Sequence, residues 1–300
     1  MRPVKFAISY NTPLYGTDPD RLVAFAQHAE RCGFEGLYLP DHIALHPGAT
    51  VGAIELDPTL AFVDPLDTLS FVAASTSRLL LGTGVLLLPY RHPVVLAKRL
   101  ATIDQLSRGR MRLLTVGLGA LPAEAAAVGV DYRSRGRRAD EAIQALRALW
   151  SGGGDGVEFH GEFFDFAELT SYPKPYGTPQ LPIHVGGSSR AAARRAGLHG
   201  DGWFPSGMLA PLERDRQWKL VRDTAIEAGR DPAAFDYTRW GSIDMPPERV
   251  EGLASQGVTR IVVGATASEP ARQFDEMSEL AERFALAVSP GRAGAGPGRA

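Results

Sequence analysis

The amino-acid sequence predicts an α/β fold, a (β/α)8 TIM barrel with an insertion after the fourth repeat. Three observations predict it. Short apolar runs alternate eight times with helix-period segments, several of these runs end in glycine-bearing or polar loops, and a stretch rich in glycine and proline, residues 151 to 180, interrupts the pattern between the fourth and fifth repeats. Right-handed βα units repeated eight times close on themselves, and the loops at the strand carboxyl ends carry function. A chain of 300 residues with 44% hydrophobic and 22% charged content is large enough to bury one such core.

Val4 to Ser9 is the first strand. Asp18-Pro19 supplies a capping carboxylate and a first-turn proline for a helix whose Leu22, Phe25, Ala26 and Ala29 share one face, and Gly33 closes it. Gly36 to Leu39 is the second strand and ends in Pro40-Asp41-His42, which puts an acid and an imidazole where parallel folds do chemistry. Residues 43 to 64 make a loop longer than a connector needs, a candidate lid. A helix from about Pro65 to Ser77 leads to the third strand.

The unit from Leu79 to Ala120 organises the chain. The run Leu79 to Leu81 reads as a strand covered on both faces that stops at Gly82-Thr83-Gly84-Val85. Glycines two apart permit backbone conformations that a side chain forbids, and they let main chain approach a flat ligand. A helix opens at Pro93, sets Leu96, Leu100, Ile103 and Leu106 on one face, and ends at Ser107-Arg108-Gly109. Met111 to Val116 then delivers Gly117-Leu118-Gly119 to the same end of the sheet. One such glycine pair is as readily a plain turn; two loops side by side favour a ligand site.

Leu121-Pro122-Ala123-Glu124 precedes a short helix. Arg133 to Arg138 crowd the start of the next one, which carries Ile143, Leu146, Leu149 and Trp150 and stops at Gly152 to Gly154. Arginines there oppose the helix dipole, so they are expected to pair with carboxylates such as Asp140 and Glu141 or to face an anion, pairing being the favoured reading. Val157 to Asp165 alternates like a hairpin, and Pro173, Pro175 and Pro179 prolong the excursion. The fifth strand, Leu181 to Val185, runs into Gly186-Gly187-Ser188-Ser189 and an alanine-rich helix, leaving N–H groups that suit a phosphate. The sixth strand lies in His199 to Phe204, and a helix from Pro211 to Ala228 follows. Next come a strand around Tyr237 to Ile243, a helix from Pro246 to Ser255, a strand from Arg260 to Val263, and a helix burying Phe274, Met277, Leu280 and Phe284. Residues 290–300 have the composition of a disordered tail, which leaves 1–289 as one domain.

A net charge of −2 gives no signal for nucleic acid or a membrane surface. No apolar run has the length of a bilayer span, and Met1 to Val4 leads into a strand without a signal-peptide core, so a cytoplasmic location is expected. The single cysteine, Cys32, excludes an internal disulfide and reads as core. With no HxH or HExxH pattern a metal site is not expected, and no G-x-S-x-G elbow occurs.

At Tyr38-Leu39-Pro40-Asp41-His42, Leu81 to Val85, Arg91-His92-Pro93, Leu106 to Arg110, Gly117-Leu118-Gly119, Arg135-Gly136, Asp140-Glu141, Val185-Gly186-Gly187 and Asp201-Gly202-Trp203, in that order, the chain resembles the bacterial luciferase-like family. Within it the resemblance is to the branch that uses the deazaflavin coenzyme F420. It implies a barrel, commonly a homodimer, with the coenzyme ring across its mouth and a non-proline cis peptide at Gly84-Val85. It also implies a cofactor site made of Asp41, His42, Thr83, Gly84, Val85, Gly117, Gly119, Gly186, Gly187, Ser188 and Ser189, the last four at the phosphate. Sugar-phosphate dehydrogenases of this branch carry a Trp after the Asp-His pair and a Glu after the second glycine loop. Here His46 and Ala120 stand at those positions.

His42 is the candidate catalytic residue, because an imidazole can give or take the proton that accompanies hydride transfer to carbon. The plainer reading is that it only hydrogen-bonds the ring or a backbone group. His46, Tyr90 and Trp203 are candidates to line the substrate site, with Trp240 beside them, although aromatics at barrel ends are also routine packing. His184, inside a strand, reads as a satisfied core histidine. The leading function is an F420-dependent oxidoreductase acting on a small organic substrate; a reduced-FMN monooxygenase and a non-catalytic cofactor-binding relative are the alternatives.

Overall fold

In the computed structural model, which describes residues 3–206 and 209–287, eight parallel strands close a barrel. They are β1 (Lys5–Ser9), β2 (Gly36–Leu39), β3 (Leu80–Leu87), β4 (Leu113–Gly117), β5 (Ile183–Gly186), β6 (Gly202–Phe204), β7 (Asp236–Trp240) and β8 (Arg260–Gly264). Each lies beside its neighbours in the chain, and β8 pairs with β1. Outside them run α1 (Pro19–Arg31), α2 (Pro65–Ser75), α3 (Pro93–Leu106), α4 (Arg135–Ser151), α5 (Arg190–His199), α6 (Pro211–Glu227), α7 (Pro247–Ser255) and α8 (Pro270–Arg283).

Local chemistry fixes where the helices begin. The Asp18 carboxylate accepts the Arg21 N–H at 2.7 Å, and the Asp64 carboxylate accepts those of Leu66 and Asp67, each just before a first-turn proline. Strand alternation then sorts the core. Ala7, Tyr38, Leu113, Phe204 and Val262 form a small interior cluster, whereas the intervening Phe6, Ile8, Leu37, Leu39, Trp203, Ile261 and Val263 pack with the helices. At the amino ends of the strands the buried Arg260 is satisfied by Glu35 at 2.5 Å and Asp236 at 3.1 Å.

Several sequence expectations change. β3 does not stop at Gly82; it continues through both glycines to Leu87, because main chain without side chains fits beside Tyr38 and Leu113. The Gly84-Val85 peptide is cis, and the pairing with β4 shifts register between Gly84 and Leu86. Leu106 ends its helix 72% exposed, off the buried face of Leu96, Leu100 and Ile103. His199 closes α5 rather than opening β6, and β7 ends at Trp240, three residues before Ile243.

Of the arginines opening α4, Arg137 pairs with a carboxylate as expected, though none of them takes Asp140 or Glu141. Arg137 pairs with Glu162, Arg138 lies over Phe164 and donates to the Pro89 carbonyl, and Arg135 stacks on Tyr132. Asp140 instead pairs with Arg195, and the Glu141 carboxylate accepts the N–H groups of Glu162, Phe163 and Phe164. Those residues belong to the turn of a hairpin, Val157–His160 with Asp165–Leu169, which is separate from the barrel sheet and forms the expected excursion. Cys32 is partly buried against the core. The expected tail lies outside the described residues. Among the described residues no helix is long and apolar enough to cross a membrane.

Candidate active site

The carboxyl end of β2 hands the chain to Asp41 and His42, and the two side chains go different ways. Asp41 is buried and fully engaged. It accepts the Leu87 N–H at 2.8 Å and a two-pronged ion pair from Arg91, at 2.6 and 3.1 Å, and Arg91 also reaches Asp64 at 3.3 Å. A single guanidinium therefore joins the ends of β2 and β3 to the cap of α2. Arg91 stood within a motif of the resemblance, but nothing in its spacing disclosed this partner.

His42 turns to Glu124. Its Nδ1 lies 3.2 Å from Oε2 and 3.3 Å from Oε1, while Oε1 accepts the Ile43 N–H at 2.6 Å and the Ala44 N–H at 3.4 Å. Burial opposes the charge of Glu124, but the hydrogen bonds from His42 and from Ile43 outweigh it and hold the carboxyl below its ordinary value. Sequence reasoning missed this residue. The available signal was a carboxylate in the first turn of an otherwise small apolar helix, Pro122–Ala127, directly after the second glycine loop. Phe62, from the long 43 to 64 loop, stands edge-on to His42 at 4.8 Å between centroids, so that loop walls the imidazole.

Tyr90 closes the other side. Its hydroxyl occupies the space a side chain at Gly119 would need, and it has no hydrogen-bond partner among the described residues. Burial, with the charge of Glu124 adding to it, pushes this phenol up to about 12, so it is a neutral donor across the ordinary pH range. His46 sits in the same long loop with Nδ1 2.9 Å from the Pro47 carbonyl oxygen.

Val85 is keyed between two glycines. A Cβ at Gly186 would lie 2.5 Å from its Cγ1, and one at Gly117 would overlap its Cγ2. The missing side chains at both positions thus make room for Val85 in the first instance. Gly84 and Val85 are half-buried, and beneath Gly84 lie Tyr38 and Phe204, with Trp240 5.0 Å from the Phe204 ring.

Beyond β5, Gly187 takes a φ of +121° that suits glycine, and Ser189 caps α5 by accepting the Ala192 N–H at 3.1 Å. Ser188 Oγ accepts the Ser206 N–H at 2.9 Å. Among the described residues no acceptor meets the N–H groups of Ser188, Ser189, Arg190 or Ala191.

Two expected site residues, Trp203 and Thr83, and one expected core histidine, His184, are placed differently. Trp203 points outward, fully buried beside Trp218 and Tyr237, and its indole N–H donates to the Gly187 carbonyl; strand alternation gives the interior to Phe204 instead. The Thr83 hydroxyl is spent on β4, donating to the Thr115 carbonyl and accepting the Thr115 N–H. His184 is buried but not satisfied. Its Nε2 is 3.6 Å from Asp236 at the amino end of the barrel, and Nδ1 has no partner among the described residues.

The family model described as luciferase-like monooxygenase matches residues 5–243. The chain belongs to that family. Among its relatives, an F420-dependent hydroxymycolic acid dehydrogenase of Mycobacterium tuberculosis is 38% identical over 222 residues, 72% of this chain and 56% of that protein. An F420-dependent glucose-6-phosphate dehydrogenase of Nakamurella multipartita is 29% identical over 277 residues, 84% of this chain and 76% of its own. In three dimensions the chain is similar to monooxygenase RslO1 from Streptomyces bottropensis, with a TM-score of 0.73 at 22% identity, covering 94% of this chain and 98% of that one. This luciferase-like chain is an oxidoreductase of the flavin or deazaflavin class.

Proposed function

We propose that the protein is an F420-dependent oxidoreductase that moves a hydride between the deazaflavin and a small organic substrate, with His42 as its proton-transfer residue. The observation that carries the reading is the His42–Glu124 pair after the carboxyl end of β2, the strand next to β3, which carries the half-buried Gly84-Val85 backbone. Support comes from the two F420-dependent dehydrogenases among the relatives. The residues fit such a coenzyme. The N–H groups of Ser188 to Ala191 at the start of α5 can hold a phosphate, favoured by roughly 1 kcal/mol before any basic side chain acts, and Gly84-Val85 over Tyr38 and Phe204 offers a flat contact for the ring. When bound, the deazaflavin supplies a two-electron hydride carrier that reacts slowly with oxygen.

The chain's own residues do the rest. Glu124 holds His42, whose Nε2 gives or takes the proton at the substrate, while the Tyr90 hydroxyl and His46 line the substrate's side. Asp41 acts through Arg91 and Leu87, keeping the ends of β2 and β3 together beneath the ring. We further propose that residues 1–289 work as one domain in a cytoplasmic homodimer.

The test is titration of the purified protein with F420 and with FMN, followed by oxidation of reduced coenzyme in the presence of small carbonyl compounds. His42→Ala is expected to lower turnover by roughly 10²-fold or more with coenzyme affinity changed far less. A variant that loses only affinity makes His42 a binding residue. Tight binding of reduced FMN with no response to the deazaflavin favours the second reading, a reduced-flavin monooxygenase, which the family's own description supports.

A further inference from the structure

Glu124 is an acceptor on every side it presents. Its side chain is fully excluded from solvent, it sits in the first turn of a helix, and its Oε1 is committed to the N–H groups of Ile43 and Ala44. An ionised carboxylate can only accept, so the His42 nitrogen that faces it, Nδ1, has to be the one bearing hydrogen. Nε2 of His42 meets no partner among the described residues, it is not a buried atom, and the side chain keeps 17% of its surface exposed. The Phe62 ring, edge-on to the imidazole, resists its rotation away from Glu124.

We infer that Glu124 is the positioning residue that fixes the tautomer of His42, locking hydrogen on Nδ1 so that the neutral ring presents an unprotonated Nε2 to the barrel mouth. The pair thereby sets the atom through which the proton moves. With an oxidised deazaflavin as the hydride acceptor, a neutral His42 would take the proton of a substrate hydroxyl at Nε2, and the resulting imidazolium would return it from the same atom in the reverse direction. The consequence for turnover rests on the proposed function; the tautomer itself does not.

Glu124→Gln makes the test sharp. The Ile43 and Ala44 N–H groups require an acceptor, so the amide oxygen takes the place of Oε1 and the NH2 group takes the place of Oε2, facing His42. Nδ1 must then accept, and hydrogen moves to Nε2. Long-range 1H–15N spectra of the histidine-labelled full chain at alkaline pH, with His42 assigned from the His42→Gln variant, report the tautomer without any ligand. The wild type is expected to show hydrogen on Nδ1 and Glu124→Gln hydrogen on Nε2. With a substrate that turns over, kcat should fall by roughly 10²-fold or more while KM moves little. The same tautomer in both proteins, or hydrogen on Nε2 in the wild type, overturns the inference. A swapped tautomer with unchanged kcat leaves Glu124 as the residue that sets the ring and removes His42 as the proton carrier, which overturns the functional reading alone.

Discussion

Val85 shows how one side chain can account for glycines that sequence reasoning assigns to a ligand. Its two methyl groups face Gly117 and Gly186 from opposite sides, and a Cβ at either position meets one of them within contact distance. The glycines make room for Val85, next to the cis Gly84-Val85 peptide of β3. Gly186→Ala is therefore expected to destabilise the protein by about 1–3 kcal/mol through overpacking. Combining it with Val85→Ala should recover a large part of the loss, and urea denaturation of the four proteins of that double-mutant cycle would measure the coupling. Equal and additive losses would mean that Val85 is not what excludes the side chain at residue 186.

Between elements, Arg91 does what no run of apolar contacts could do at the mouth. It holds Asp41 after β2, donates to the Leu87 carbonyl at the end of β3, and reaches the capping Asp64 of α2. The Asp41 side chain is 1% exposed, so deleting its partner strands a carboxylate away from water. Arg91→Met should cost about 3–5 kcal/mol in chemical denaturation, the range for breaking a buried pair from one side. Arg91→Met with Asp41→Asn should recover part of that cost, since the buried charge is gone. If the single variant loses less than about 1 kcal/mol, the site at residue 41 admits water and the linkage is weaker than its geometry.

At the scale of the whole barrel, the candidate site lies at one end and a second cluster of charged and titratable groups at the other. His42, Glu124 and the free N–H groups gather at the strand carboxyl ends, whereas Arg260, Glu35, Asp236 and His184 gather at the amino ends. The amino end carries a pH dependence of its own. Burial, with the charge of Arg260 adding to it, pushes His184 down to about 4 from 6.5. The unfolded chain then takes up a proton first, so stability is fully present above pH 6.5 and declines as pH falls toward about 4, by about 3 kcal/mol in all. His184→Asn should shrink the difference in urea midpoint between pH 7 and pH 5, leaving the part due to His28 and His199, which burial also lowers. An unchanged difference would place the acid sensitivity elsewhere.

What the sequence by itself determined is what repeats or is local. The eightfold alternation, the aspartate and proline helix starts, the hairpin excursion and the pairing of glycine loops with Asp41-His42 are patterns written over a few adjacent residues, and they led to the barrel and to the end that carries the candidate site. Only the tertiary structure decided which long-range partner each polar group takes. His42 and Glu124 are 82 positions apart and Asp41 and Arg91 are 50 apart, and spacing says nothing about contacts across such separations. It also decided sidedness. Trp203 and Phe204 are neighbours in one short strand, and the period of two sends one to the helices and the other to the barrel interior. A sequence shows that alternation but not its phase, because the phase is fixed by the strands on either side.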